Sequence, residues 1–233
     1  MQERVRASSE ELAEHANEFY NELSRQPNDR YRSWEHCYEV FNNGTADVDY
    51  LSLHLAFYLA SWGMYRGSSF LLQRDYRIHY EAVKLLTDRN YVTLRGIASK
   101  ELIDKVDLVC ELYKRLKEYY ESVRSTVLET KGKTAKADVS QTLITKILMG
   151  TLGCCPAYDR YFIRGIGELG FCKSFSADAL TELSEFYAKN ATSFDKAARK
   201  TELGLAYPQM KILDMAFWKY GYTIENHGKC VAS

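Results

Sequence analysis

Apolar residues recur at helical spacing along nearly the whole chain, and strand-like alternation is missing. From Ser8 or Ser9 the run SSEELAEHANEFYNEL opens with serine and then acidic residues. That is a helix start, in which a hydroxyl accepts the first free N–H groups. Leu12, Ala16, Phe19, Tyr20 and Leu23 form its apolar face. Pro27, Asn28 and Asp29 break it, and Tyr31, Trp34, Tyr38 and Phe41 continue as a second amphipathic helix ended by Asn42-Asn43-Gly44. Residues 47–62 are apolar nearly all round, which predicts a helix through the middle of the fold. Phe70 to Asp88 reads as one or two helices, and a weaker segment spans Tyr91 to Gly96. Ser99 is expected to cap a long helix to about Val127, with Leu102, Val106, Val109, Leu112, Leu116 and Tyr120 as its stripe. Further on, Ser176 caps a helix to about Asn190, Ser193 starts a short one, and Pro208 opens a last helix that Gly221 stops. The expected fold is all-α, with residues 1–233 forming a single helical domain, or two lobes of about 1–128 and 129–233.

The most informative stretch is Asp138 to Gly170. Val139, Leu143 and Ile147 recur every fourth residue, joined by Ile144, Leu148 and Leu152, so this segment has a broad apolar face that Gly153 ends. Pro156 is expected to open a second helix, because proline loses no hydrogen bond in a first turn. Asp159 then falls in that first turn, where aligned peptide dipoles favour a negative charge. The run TKILMGTLGCCPAYDRYF resembles the centre of the helix-hairpin-helix DNA glycosylases, particularly the branch related to 8-oxoguanine glycosylase. There a buried helix leads through a glycine-containing turn to a catalytic aspartate. The family's glycine-rich hairpin would lie at Thr130 to Ala137, which has one glycine, so the hairpin here is degenerate.

The resemblance implies a compact all-α enzyme that hydrolyses the bond between a modified or damaged base and its sugar, leaving an abasic site. Asp159 is the implied catalytic carboxylate; on position alone it is also an ordinary helix-stabilising aspartate. Bifunctional members add a lysine nucleophile near the start of the preceding helix, where this chain has Gln141 and Thr142. Lys146 lies a turn further on and is the second catalytic candidate, or else a phosphate contact or a surface lysine. A monofunctional enzyme is therefore expected. Trp62, Tyr65, Tyr158 and Trp218 are candidates for holding an extruded base, although Trp218 also fits a core position. Arg66 and Ser68, in a glycine-flanked loop, are candidate DNA contacts, as are Arg160 and Arg164; Arg66 paired to a surface carboxylate and Arg164 paired to Glu168 are the plainer readings. Lys131, Lys133 and Lys136 lie in a segment without large apolar residues, either contacting phosphate or forming a solvated loop. The implied partner is double-stranded DNA carrying an oxidised purine or a bulky modified pyrimidine, such as glucosylated hydroxymethylcytosine in phage DNA. The role is repair or antiviral defence, and the protein is expected to act as a monomer without a cofactor.

Charge narrows this picture. Lys plus Arg number 31 and Asp plus Glu 31, so DNA binding must rest on a local basic patch rather than on bulk attraction. Six cysteines without a C-x-x-C pair or signal-like start fit a reducing cytoplasm and no zinc site. Gly132-Lys133-Thr134 lacks the glycine five positions earlier that a phosphate-binding loop needs, and the five histidines form no metal motif. No apolar run is long enough to span a membrane. The alternative reading is a non-enzymatic helical interaction or regulatory protein, which neutral charge and amphipathic helices also suit.

Overall fold

The side chains of Ser8, Asp47, Ser140, Asp159 and Ser176 each cap a helix start in the computed structural model, which describes residues 7–26, 28–67, 69–127 and 138–230. Helix α1 (Ser9–Arg25) begins with a reciprocal cap: Ser8 Oγ accepts the Glu11 N–H, and the Glu11 carboxylate accepts the Ser8 N–H at 2.7 Å. A 3-10 turn (Arg30–Arg32) leads into α2 (Ser33–Asn42), and Asp47 caps α3 (Val48–Ser61). Two further 3-10 turns precede α4 (Tyr80–Leu86). Then come α5 (Ser99–Ile103), α6 (Val106–Ser125), α7 (Gln141–Thr151), α8 (Arg160–Leu169), α9 (Ala177–Lys189), α10 (Ala191–Phe194) and α11 (Gln209–Cys230). Among the described residues there are eleven α-helices and no strand, only an isolated bridge between Lys200 and Ala206. The fold is all-α. No helix among these residues is long and apolar enough to cross a membrane.

Helix α7 runs through the centre, packed against α2, α3 and α6, and every residue from Leu143 to Thr151 is buried. Its glycine, Gly150, lets Tyr58 of α3 approach so closely that a Cβ there would sit 2.3 Å from the ring. Trp34 of α2 donates its indole N–H to the Met149 carbonyl at 3.1 Å. Helix α11 lies between α1 and α8. The crossing with α8 is made by glycines: a Cβ on Gly165 would lie 2.2 Å from the Phe217 carbonyl oxygen, and one on Gly221 would lie 2.0 Å from that of Tyr161.

Four expectations change. Gly221 does not stop the last helix, which runs on to Cys230; it is a mid-helix residue selected by the α8 crossing, where only a missing side chain fits. Helix α3 is not enclosed, since Tyr50, Leu53 and Phe57 on one face are 42%, 49% and 57% exposed. Ser99 is the first residue of the short α5, not the cap of a long helix, and the chain turns at Asp104 and Lys105 before α6 starts. Pro156 lies in the connection before α8, not at its first position, because Asp159 is the cap that starts the helix.

Candidate active site

Asp159 is held by its own helix. Its Oδ1 accepts the N–H groups of Tyr161 and Phe162 at 3.1 and 3.2 Å, which fixes one carboxylate oxygen at the positive end of α8. The residues leading to it are pinned as well. The Tyr158 N–H donates to Thr145 Oγ1, the Thr142 hydroxyl donates to the Tyr158 carbonyl, and the Ala157 N–H donates to Asp214 Oδ1 at 3.0 Å. The second oxygen of Asp159 pairs with Lys146 Nζ at 3.0 Å, and the two side chains are 16% and 3% exposed. The ammonium also rests on Trp62, 4.4 Å from its ring centre.

This pair borders a cleft of about 900 Å³ lined by residues from across the sequence. Trp62, Gly63, Met64 and Arg66 come from the end of α3 and its loop; Ser140, Thr142, Leu143 and Lys146 come from α7 and its cap. Asp159, Arg160 and Tyr161 begin α8, Trp218 and Tyr222 lie on α11, and Arg30, Tyr31 and Arg124 are also part of the wall. Trp218 and Tyr222 stack with ring centres 5.5 Å apart, and Tyr161 meets both edge-on at 5.1 and 5.2 Å. Tyr31 lies 4.5 Å from Trp62, whose ring is thus already occupied by an aromatic and an ammonium. The arginines differ in engagement. Arg160 pairs with Glu225, Arg30 donates to the Tyr31 hydroxyl, and Arg66 is exposed with its guanidinium laid over Gly63.

The structure brings Asp159, Lys146, Trp62, Trp218, Arg66 and Arg160 together around this cleft. Lys146 is not a surface lysine, because the α7–α8 connection folds back and sets its amine against Asp159. Tyr158 is not in the cleft: it is fully buried against Phe162 and Phe175, and burial pushes its phenol well up. Tyr65 points away as well. Its hydroxyl meets His79 Nε2 at 2.7 Å, and His79 Nδ1 meets the Tyr120 hydroxyl at 2.6 Å, a buried chain that anchors the loop behind the cleft wall. Arg164 pairs with Glu168 at 2.9 Å. Ser68, Lys131, Lys133 and Lys136 lie outside the described residues.

Sequence reasoning missed Tyr222, Tyr161, Tyr31, Arg30 and Arg124. The spacing of Trp218 and Tyr222, four apart on one helix, was a usable signal. It was hidden by reading Gly221 as a helix stop. Among the described residues no group of His, Cys, Asp and Glu could hold a metal ion, and Cys37, Cys110, Cys154, Cys155 and Cys172 are unpaired. Compared with protein-family models, curated proteins and solved structures, the chain matches none of them, which leaves the cleft itself as the guide to function.

Proposed function

We propose that the cleft is the active site of a DNA glycosylase that removes a modified or damaged base by hydrolysis and leaves an abasic site. The observation that carries this reading is the capped Asp159 carboxylate, paired with a buried lysine and opening onto a cleft walled by aromatics and arginines. As a base leaves, positive charge develops on the deoxyribose, and a carboxylate fixed beside the anomeric carbon stabilises it and orients the attacking water. The α8 cap and the Lys146 ion pair hold Asp159 in place before substrate arrives, so little reorganisation accompanies the reaction. Trp218 and Tyr222 offer an aromatic wall for an extruded base, with Tyr222 39% exposed. Arg66, exposed at the cleft, would meet backbone phosphate. The cleft, about 900 Å³, is large enough to take an extruded base. Unpaired cysteines suit a reducing cytoplasm, where such an enzyme would serve repair or defence against phage.

The test is abasic-site formation on plain, uracil-containing, 8-oxoguanine-containing and cytosine-modified phage DNA, with Asp159→Asn run alongside. Asparagine keeps a cap acceptor, and thermal melting shows whether the variant is folded. Expected is cleavage of one substrate after alkali, reduced about 10²- to 10³-fold in the variant. Strand cutting without alkali would replace water with the Lys146 amine as nucleophile. Silence on every substrate would sink the glycosylase reading and leave a non-enzymatic helical interaction or regulatory protein.

A further inference from the structure

A second buried ion pair lies beneath the first, and the proposed hydrolysis does not use it. Lys211 Nζ and Asp214 Oδ2, one turn apart on α11, are 3.0 Å apart, and both side chains are 3% exposed. Burying two charges is costly, and well-packed apolar residues in place of such a pair are often neutral or stabilising. Stability alone therefore does not account for the pair. Its contacts do. The free oxygen of Asp214, Oδ1, accepts the Ala157 N–H at 3.0 Å, two residues before Asp159. Lys211 lies 5.1 Å from the ring centre of Trp62, the same ring on which Lys146 rests at 4.4 Å. One member thus holds the backbone that delivers Asp159, and the other braces the surface that carries its partner lysine.

We infer that Lys211 and Asp214 are positioning residues for the Lys146–Asp159 pair, tying the register of that pair to α11, the helix that also carries Trp218 and Tyr222. This inference rests on the proposed hydrolysis for its kinetic consequence, but its geometric content stands apart from it. Neither side chain lines the cleft, so both act through the residues they hold. The charge-assisted hydrogen bond that the Ala157 N–H donates to the Asp214 carboxylate fixes Ala157 more firmly than one to an uncharged acceptor does.

The experiment uses the full chain with both charges removed together, so that no unpaired ion is left buried. Lys211→Met with Asp214→Leu deletes the Ala157 acceptor, and Lys211→Met with Asp214→Asn restores it without charge. The first readout, independent of activity, is acetylation of Lys146 by acetic anhydride in the native protein, followed by mass spectrometry with exposed Lys100 and Lys114 as references. Expected is labelling of Lys146 raised several-fold in the leucine variant, as in Asp159→Asn, with the asparagine variant lying between it and wild type. On any DNA that wild type cleaves, kcat should fall about tenfold or more with KM nearly unchanged, because sub-ångström misplacement of reacting groups costs rate rather than binding. The asparagine variant should recover most of that loss. A folded leucine variant with wild-type labelling of Lys146 overturns the inference. Should it not fold, Lys211→Met with Asp214→Ala, which also deletes the acceptor, takes its place, and wild-type labelling of Lys146 in that folded variant does the same. If wild type cleaves no DNA, the glycosylase reading fails while the labelling still decides the positioning role.

Discussion

Acidification should weaken this fold at His79. The imidazole is fully buried and bonded at both nitrogens, to Tyr65 at 2.7 Å and to Tyr120 at 2.6 Å. A neutral ring has one donor and one acceptor nitrogen, so one tyrosine hydroxyl donates a hydrogen bond to the ring and the other accepts one from it. Both phenols are pushed up by burial and keep their protons. Burial alone lowers the His79 pKa from 6.5 to about 3. A group depressed in this way leaves the folded state reluctant to bind a proton that the unfolded chain takes up below pH 6.5. Stability is thus lost as pH falls from 6.5, at about 1.4 kcal/mol per unit, until the folded protein also protonates near pH 3. At pH 5 the loss amounts to about 2 kcal/mol, a figure that requires only a folded pKa well below 5. The assay is urea unfolding at pH 7 and pH 5, with wild type beside His79→Gln, whose side chain does not titrate. The variant should be less stable at pH 7, since a buried tyrosine loses a well-placed partner, yet it should lose about 2 kcal/mol less than wild type between the two pH values. Equal losses in the two proteins would refute the reasoning, because every other titrating group is common to both.

Two further substitutions test the packing around the cleft. Gly221→Ala should destabilise by at least about 2 kcal/mol in chemical denaturation despite alanine's better helix propensity, because its methyl would meet the Tyr161 carbonyl. A neutral or stabilised variant would mean that α8 and α11 do not cross so closely. Tyr158→Phe removes a buried hydroxyl that lacks a hydrogen-bond partner among the described residues, so the melting temperature should hold or rise slightly. Cleavage should be unchanged in that variant, and a marked loss of activity would return Tyr158 to the cleft.

Where a side chain caps it, a helix start was legible, because a cap is a conversation between residues two or three apart. Ser8 with Glu11, Asp47 with Asp49 and Tyr50, and Ser176 with Ala179 all bond within one turn, and no distant part of the chain is needed to form them. The apolar spacing of α7 likewise announced a central helix. Gly221 and Pro156 were harder, since each has the same local meaning in any chain and only their surroundings decide otherwise.

The sequence by itself determined an all-α chain, the capped starts of α1 and α9, and an aspartate placed where a helix dipole favours its charge. Only the tertiary structure decided which side chains share a cleft. Lys146 and Asp159, thirteen residues apart, meet because the connection after Gly153 is pinned by Thr142, Thr145 and Asp214. Trp62 and Trp218 join them because α3, α7, α8 and α11 cross at glycines 150, 165 and 221. The same crossings turn Tyr158 into the core and draw Tyr222 to the rim. A cap depends on bonds within one turn, whereas a cleft depends on the approach of helices far apart in sequence, and side-chain spacing along one helix carries no record of the helix it will meet.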